Sequence, residues 1–150
     1  MKGFTLLETL FAVAILALLA AIIMSGFSSF QESGELLRTT DLAAGVLRDA
    51  RGRTLASRNS REYGVHFGTD IITLFEGAAY NPAVASNIPV LLPFRVEISS
   101  IALTGGLDET VFRRLSGEAA ATGTITFRVK RKISKTKDIR IYESGVVEIK

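Results

Sequence analysis

The stretch Gly3-Phe4-Thr5-Leu6-Leu7-Glu8-Thr9-Leu10-Phe11-Ala12-Val13-Ala14-Ile15-Leu16-Ala17-Leu18-Leu19-Ala20-Ala21-Ile22-Ile23-Met24 decides how this chain is read. From Thr9 through Gln31 run 23 residues without a charge. As a helix they rise about 34 Å, against about 30 Å of bilayer hydrocarbon. Leu, Ala and Met favour helix, and a single segment in lipid must satisfy its own backbone, which a helix does. The run therefore reads as a membrane-spanning helix rather than the buried core helix of a small domain. A secretory signal peptide is the closer competitor, because Lys2 precedes the run and Ala12-Val13-Ala14 has the Ala-x-Ala form. The run outlasts the usual apolar region of about 7–15 residues, however, and Glu8 sits where that region should begin.

Glu8 is the residue that needs a reason. A carboxylate within a membrane segment costs up to about 2.5–3.5 kcal/mol at the centre and less near an end, and such a group usually marks a function with a partner cation. Gly3-Phe4-Thr5-Leu6-Leu7-Glu8, after a very short leader containing Lys2 and before the apolar run, closely resembles the cleavage and methylation motif of type IV prepilins and type II secretion pseudopilins. The resemblance implies that a prepilin peptidase cuts between Gly3 and Phe4 on the cytoplasmic side and that the new amine of Phe4 is methylated. It implies a leader at 1–3, a transmembrane helix over 4–31 and a soluble pilin-like domain over 32–150. A helix begun at Phe4 would place Glu8 one turn deeper, about 6 Å along. Glu8 would then pair with its own terminal amine or favour the positive helix end. In the family the matching acid instead accepts the amine of a neighbouring subunit and sets filament register. By the positive-inside tendency Lys2 stays in the cytoplasm, with the bulk of the chain beyond the bacterial inner membrane.

The remaining sequence reads as an ordinary soluble domain. With 47% hydrophobic and 22% charged residues, the 150-residue chain is too apolar for disorder and suits one compact domain. The absence of Cys excludes a disulfide framework, a thiolate metal site and a Cys nucleophile. From Glu32 to Arg58, Leu36 or Leu37, Thr40, Ala43 or Ala44, Leu47, Ala50 and Thr54 or Leu55 recur at three- and four-residue steps. That amphipathic stripe predicts a helix laid on a sheet, continuous with the membrane segment. From Tyr63 the period changes to two. Tyr63–Phe67 and Ile71–Phe75 around Gly68-Thr69-Asp70 read as a hairpin, with further strands at Phe94–Ile98, near Ile101, and at Val111–Leu115, Thr124–Ile133, Ile139–Tyr142 and Val146–Ile149. Ala78–Pro93 reads as a surface loop. The expected fold is α+β, a long N-terminal helix packed on an antiparallel, sandwich-like C-terminal domain.

The order Ala50-Arg51, Arg58-Asn59, Gly117, Gly123-Thr124-Ile125-Thr126-Phe127 and Gly145-Val146-Val147-Glu148-Ile149 is similar to H-type minor pseudopilins and FimT-type minor pilins. Many major pilins carry a proline in the membrane half and a C-terminal disulfide; this sequence has neither, which favours the minor class. The resemblance implies other pilin or pseudopilin subunits as partners, with an exported protein or DNA as a further ligand.

One histidine, no cysteine and no glycine-rich phosphate loop give little basis for an enzyme or a cofactor. His66 reads as a sheet side chain. Asp108-Glu109 after Gly105-Gly106 reads as a turn, since two adjacent acids do not supply the roughly six to eight oxygens of a calcium site. Gly123 to Lys150 carries eight Lys or Arg against three acids. On a single strand with Ile125, Phe127 and Val129 inward, Arg128, Lys130 and Lys132 would project together at about 6.6–6.8 Å spacing, with Lys135, Lys137 and Arg140 extending a patch suited to DNA phosphates. The competing reading is charge placed on an exposed strand to block edge pairing.

Overall fold

The computed structural model describes residues 5–150, the side chains of 24–28 apart. Helix α1 covers Leu6–Leu55, and the chain divides into two compact units between Gly34 and Glu35. In the first unit every residue from Leu6 to Ile23 is exposed. Over these 18 residues the helix is long and apolar enough to cross a membrane.

In the second unit, α1 buries Leu36, Ala43, Ala44, Leu47 and Ala50, the stripe that its spacing predicts. Three small residues in that stripe let the backbone approach the sheets closely. Thr39, Thr40 and Thr54 are also buried, and each donates its hydroxyl to the carbonyl four residues back, on Glu35, Leu36 and Ala50, so none of these three hydroxyls is stranded. Thr54 Oγ1 also accepts the Tyr63 amide at 3.0 Å, tying the last turn of the helix to the first strand. The helix stops at Leu55, short of the expected Arg58, because Ser57 adopts a left-handed conformation and Arg58–Ser60 forms a short 3₁₀ turn.

Eight strands follow: β1 (Tyr63–Phe67), β2 (Ile71–Glu76), β3 (Ile88–Leu91), β4 (Val96–Leu103), β5 (Glu109–Phe112), β6 (Gly123–Val129), β7 (Lys132–Ile141) and β8 (Val147–Ile149). They form two antiparallel four-stranded sheets of order β3-β2-β1-β5 and β4-β6-β7-β8. Val65, Phe67, Ile72, Leu74 and Phe112 of the first sheet and Val96, Ile125, Phe127, Ile139 and Ile141 of the second share one core with the helix stripe. The α+β expectation holds.

Three strand expectations are corrected. The segment read as a loop over Ala78–Pro93 contains β3; Pro89 is tolerated because β3 is an edge strand. The strand expected at Val111–Leu115 is β5, which begins two residues earlier and ends at Phe112, since Leu115 has φ +70° and belongs to the following turn. The single strand expected over Thr124–Ile133 is two strands, with the chain reversing at Lys130-Arg131 between β6 and β7.

Candidate functional site

At the start of α1, Thr5 precedes the helix and its Oγ1 accepts the Glu8 amide at 3.3 Å. This is the N-cap arrangement, with Glu8 at the third helical position as in a Thr-x-x-Glu capping box. Thr9 Oγ1 donates to the Leu6 carbonyl at 2.8 Å. Among the described residues the helix begins at Leu6, and Glu8 lies in its first turn, where the positive helix end favours its charge; the expected start at Phe4 lies outside them. Its side chain stays on the exposed surface. Gly3 and Phe4, the expected cleavage and methylation positions, lie outside the described residues.

The second unit gathers the residues Arg51, Gly117 and Gly145 at one place. Arg51 Nε donates to the Gly117 carbonyl and its terminal nitrogen to the Ser144 carbonyl, each at 3.0 Å. Gly145 has φ +76°, and a Cβ there would run into the Gly117 carbonyl and crowd the Arg51 side chain. One helix cation thus satisfies carbonyls from two turns, and both turns need glycine to come so close.

The expected row of cations is divided between two strands and the turn that joins them. Ile125, Phe127 and Val129 are buried, so Arg128 faces away from the core as predicted. Its Nε, however, meets Glu97 Oε1 at 2.6 Å across the β4–β6 ladder. Lys130 sits in the turn, with Nζ 2.8 Å from Asp70 Oδ1 and 5.6 Å from the centre of the Phe94 ring. Lys132 begins the returning strand rather than extending β6. Register pairs Lys137 with Phe127 and Arg140 with Thr124, so Lys137 has the parity of buried Ile139, while Arg140 has the opposite parity. Arg140 lies 5.3 Å from the Tyr142 ring, and Tyr142 donates to Glu148 at 2.6 Å. That bond, then desolvation and the Glu148 charge, push the Tyr142 phenol above its ordinary pKa. The six cations Arg128, Lys130, Lys132, Lys135, Lys137 and Arg140 are spread over two strands and a turn, with Glu97, Asp70, Asp138 and Glu148 among them.

Residues 1–24 match the family described as "Prokaryotic N-terminal methylation motif". The fold is similar to that of the type IV minor pilin FimU of Pseudomonas aeruginosa strain PAO1 in two crystal forms. The P21 form aligns with a TM-score of 0.60 at 13% identity, covering 81% of this chain and 92% of that one. The P65 form gives 0.56 at 12% identity, covering 77% and 92%. The chain has a type IV pilin-like fold and carries this motif ahead of it. No curated protein sequence matches it. At these identities the likeness to FimU is one of fold, and it spans nearly the whole of the solved pilin. In this pilin-like chain the methylation motif and the exposed apolar helix coincide at one end, while the two sheets and the Arg51 contacts lie in the other compact unit.

Proposed function

We propose that this chain is a minor structural subunit of a type IV pilus or type II secretion pseudopilus, of the H-type or FimT-type kind, built in at or near the filament tip. The observation that carries the reading is the coincidence of the methylation motif over residues 1–24 with an 18-residue apolar span, wholly exposed, ahead of a domain that folds like a minor pilin. Such a surface needs a bilayer or the helices of other subunits around it. The precursor inserts in the inner membrane with Lys2 cytoplasmic and the sheets on the far side. Prepilin peptidase removes residues 1–3, and the Phe4 amine is methylated. The Thr5 cap holds the first turn, and exposed Glu8 meets the amine of a neighbouring subunit, since an unmatched charge in that setting is costly. The domain beyond the membrane helix offers a surface to an adjacent minor subunit, with assembly rather than catalysis as its task.

DNA binding through the C-terminal cations is the weaker reading, because Arg128 and Lys130 already face Glu97 and Asp70. The deciding experiment is mass spectrometry of the native polypeptide together with Glu8→Ala. A chain beginning at N-methylated Phe4 is expected, and Glu8→Ala should be inserted and cut yet fail to enter filaments. Retained Met1, or a cut after Ala14, contradicts the processing; normal incorporation of Glu8→Ala contradicts the register role.

A further inference from the structure

On the face of the first sheet turned away from the core, β1 and β5 pair so that His66 stands opposite Glu109. Asp108, just ahead of β5, brings its Oδ1 to 3.6 Å from His66 Nδ1. One ligand atom from each of His66, Asp108 and Glu109 lies within 4.8 Å of the others. We propose that these three side chains form a binding site for a divalent transition metal of the zinc class.

Three features distinguish this trio from a chance grouping of charges. First, His66 Nδ1 is buried with no hydrogen-bond partner, and 3.6 Å to Asp108 is beyond hydrogen-bond range. A buried ring nitrogen without a partner is costly, and a metal ion between it and the carboxylate would satisfy both. Secondly, the ring is already oriented. Tyr80 stacks on it with centroids 4.1 Å apart and planes 8° from parallel, and Tyr80 itself leans on Phe75 at 5.6 Å. Thirdly, the Tyr80 amide donates to Glu109 Oε2 at 3.0 Å, which fixes that carboxylate and leaves its other oxygen for an ion. Metal sites characteristically have such outer contacts holding the ligands in place.

The donor set selects the metal. Nitrogen and oxygen ligands at about 2.0–2.2 Å around a tetrahedral ion lie about 3.3–3.5 Å apart, so the His66 to Asp108 separation needs to close by only a few tenths of an ångström. Imidazole with two carboxylates, completed by water, suits zinc and its neighbours, whereas calcium requires more oxygens and takes no nitrogen here. A bound ion would clip three segments together: β1, the turn before β5 and, through Tyr80, the long β2–β3 connection. This inference stands apart from the assembly role and does not depend on it.

The test is titration of the chelator-stripped full-length chain in detergent micelles with ZnCl₂, followed by calorimetry and by thermal unfolding, with CaCl₂ in parallel. One Zn²⁺ per chain and a raised Tm are expected. His66→Gln, Asp108→Asn and Glu109→Gln should each weaken binding roughly tenfold or more, with little response of any form to Ca²⁺. Since His66→Gln also alters the stack on Tyr80, Asp108→Asn on an exposed side chain isolates loss of a ligand, with circular dichroism as the check on folding. Absence of Zn²⁺ binding, binding that survives the three substitutions, or Ca²⁺ bound as tightly as Zn²⁺ overturns the proposal.

Discussion

Leu16 and Leu47 are the same residue in the same helix, yet one is 65% exposed and the other 0%. Around Leu16 no polar face exists, because every neighbour from Leu10 to Ile23 is apolar. Around Leu47 the apolar positions form a stripe, with Glu35, Arg38, Asp41, Arg48 and Asp49 off it. Helix propensity does not distinguish these two parts of α1. What differs is the medium each is written for: an all-round apolar surface asks for lipid or other helices, a stripe asks for a sheet. Only the second has its demand met within this chain.

The comparison breaks most visibly at the two leucines. Leu47→Ala should lower the stability of the folded domain by about 2–5 kcal/mol, because it opens a cavity in a closed core. Leu16→Ala should leave domain stability unchanged. Thermal and denaturant unfolding of the full-length chain in detergent measures both; equal losses would mean that the apolar span takes part in the core. A smaller effect is expected at the junction of helix and turns. Gly145→Ala forces a side chain into a left-handed backbone position against the Gly117 carbonyl and should cost about 1–3 kcal/mol, read as a shift of the unfolding midpoint. Arg51→Lys should not restore wild-type stability when compared with Arg51→Ala, because a lysine amine lacks the planar fork that reaches two separate carbonyls. The smallest change belongs to the first turn. Thr5→Ala should cost about 1 kcal/mol of local helix stability, seen as faster amide exchange at Leu6–Glu8 without a change in the domain.

Much of this architecture is legible in the sequence. The uncharged run and the three-and-four spacing from Leu36 to Thr54 mark the two parts of α1, and Gly68-Thr69-Asp70 between alternating apolar residues marks the β1–β2 hairpin. The β6–β7 reversal is not legible, since Lys130-Arg131 has none of the Gly, Asn or Pro signals of a turn and Ile133 sustains the apparent strand. That one reversal separates cations that look collinear. β3 is hidden by Pro89, a residue that argues against a central strand but is compatible with an edge. Thr5 and Glu8 have the spacing of a capping box, a signal separate from the reading of Glu8 as an amine's partner or as a charge at the positive helix end. The nearness of His66 to Asp108 and Glu109 exists only once β1 and β5 are known to pair, which no local pattern specifies.

The reach of Arg51 has a bearing on when the domain can finish folding. Its two carbonyl acceptors are 66 and 93 residues further along the chain. Contacts of such sequence separation close late, after the intervening loops have lost their freedom. A chain emerging from synthesis with its first segment already held would have to wait until Ser144 is made before the helix end is secured, and one truncated before Ser144 would stay partly open, exposed to proteolysis.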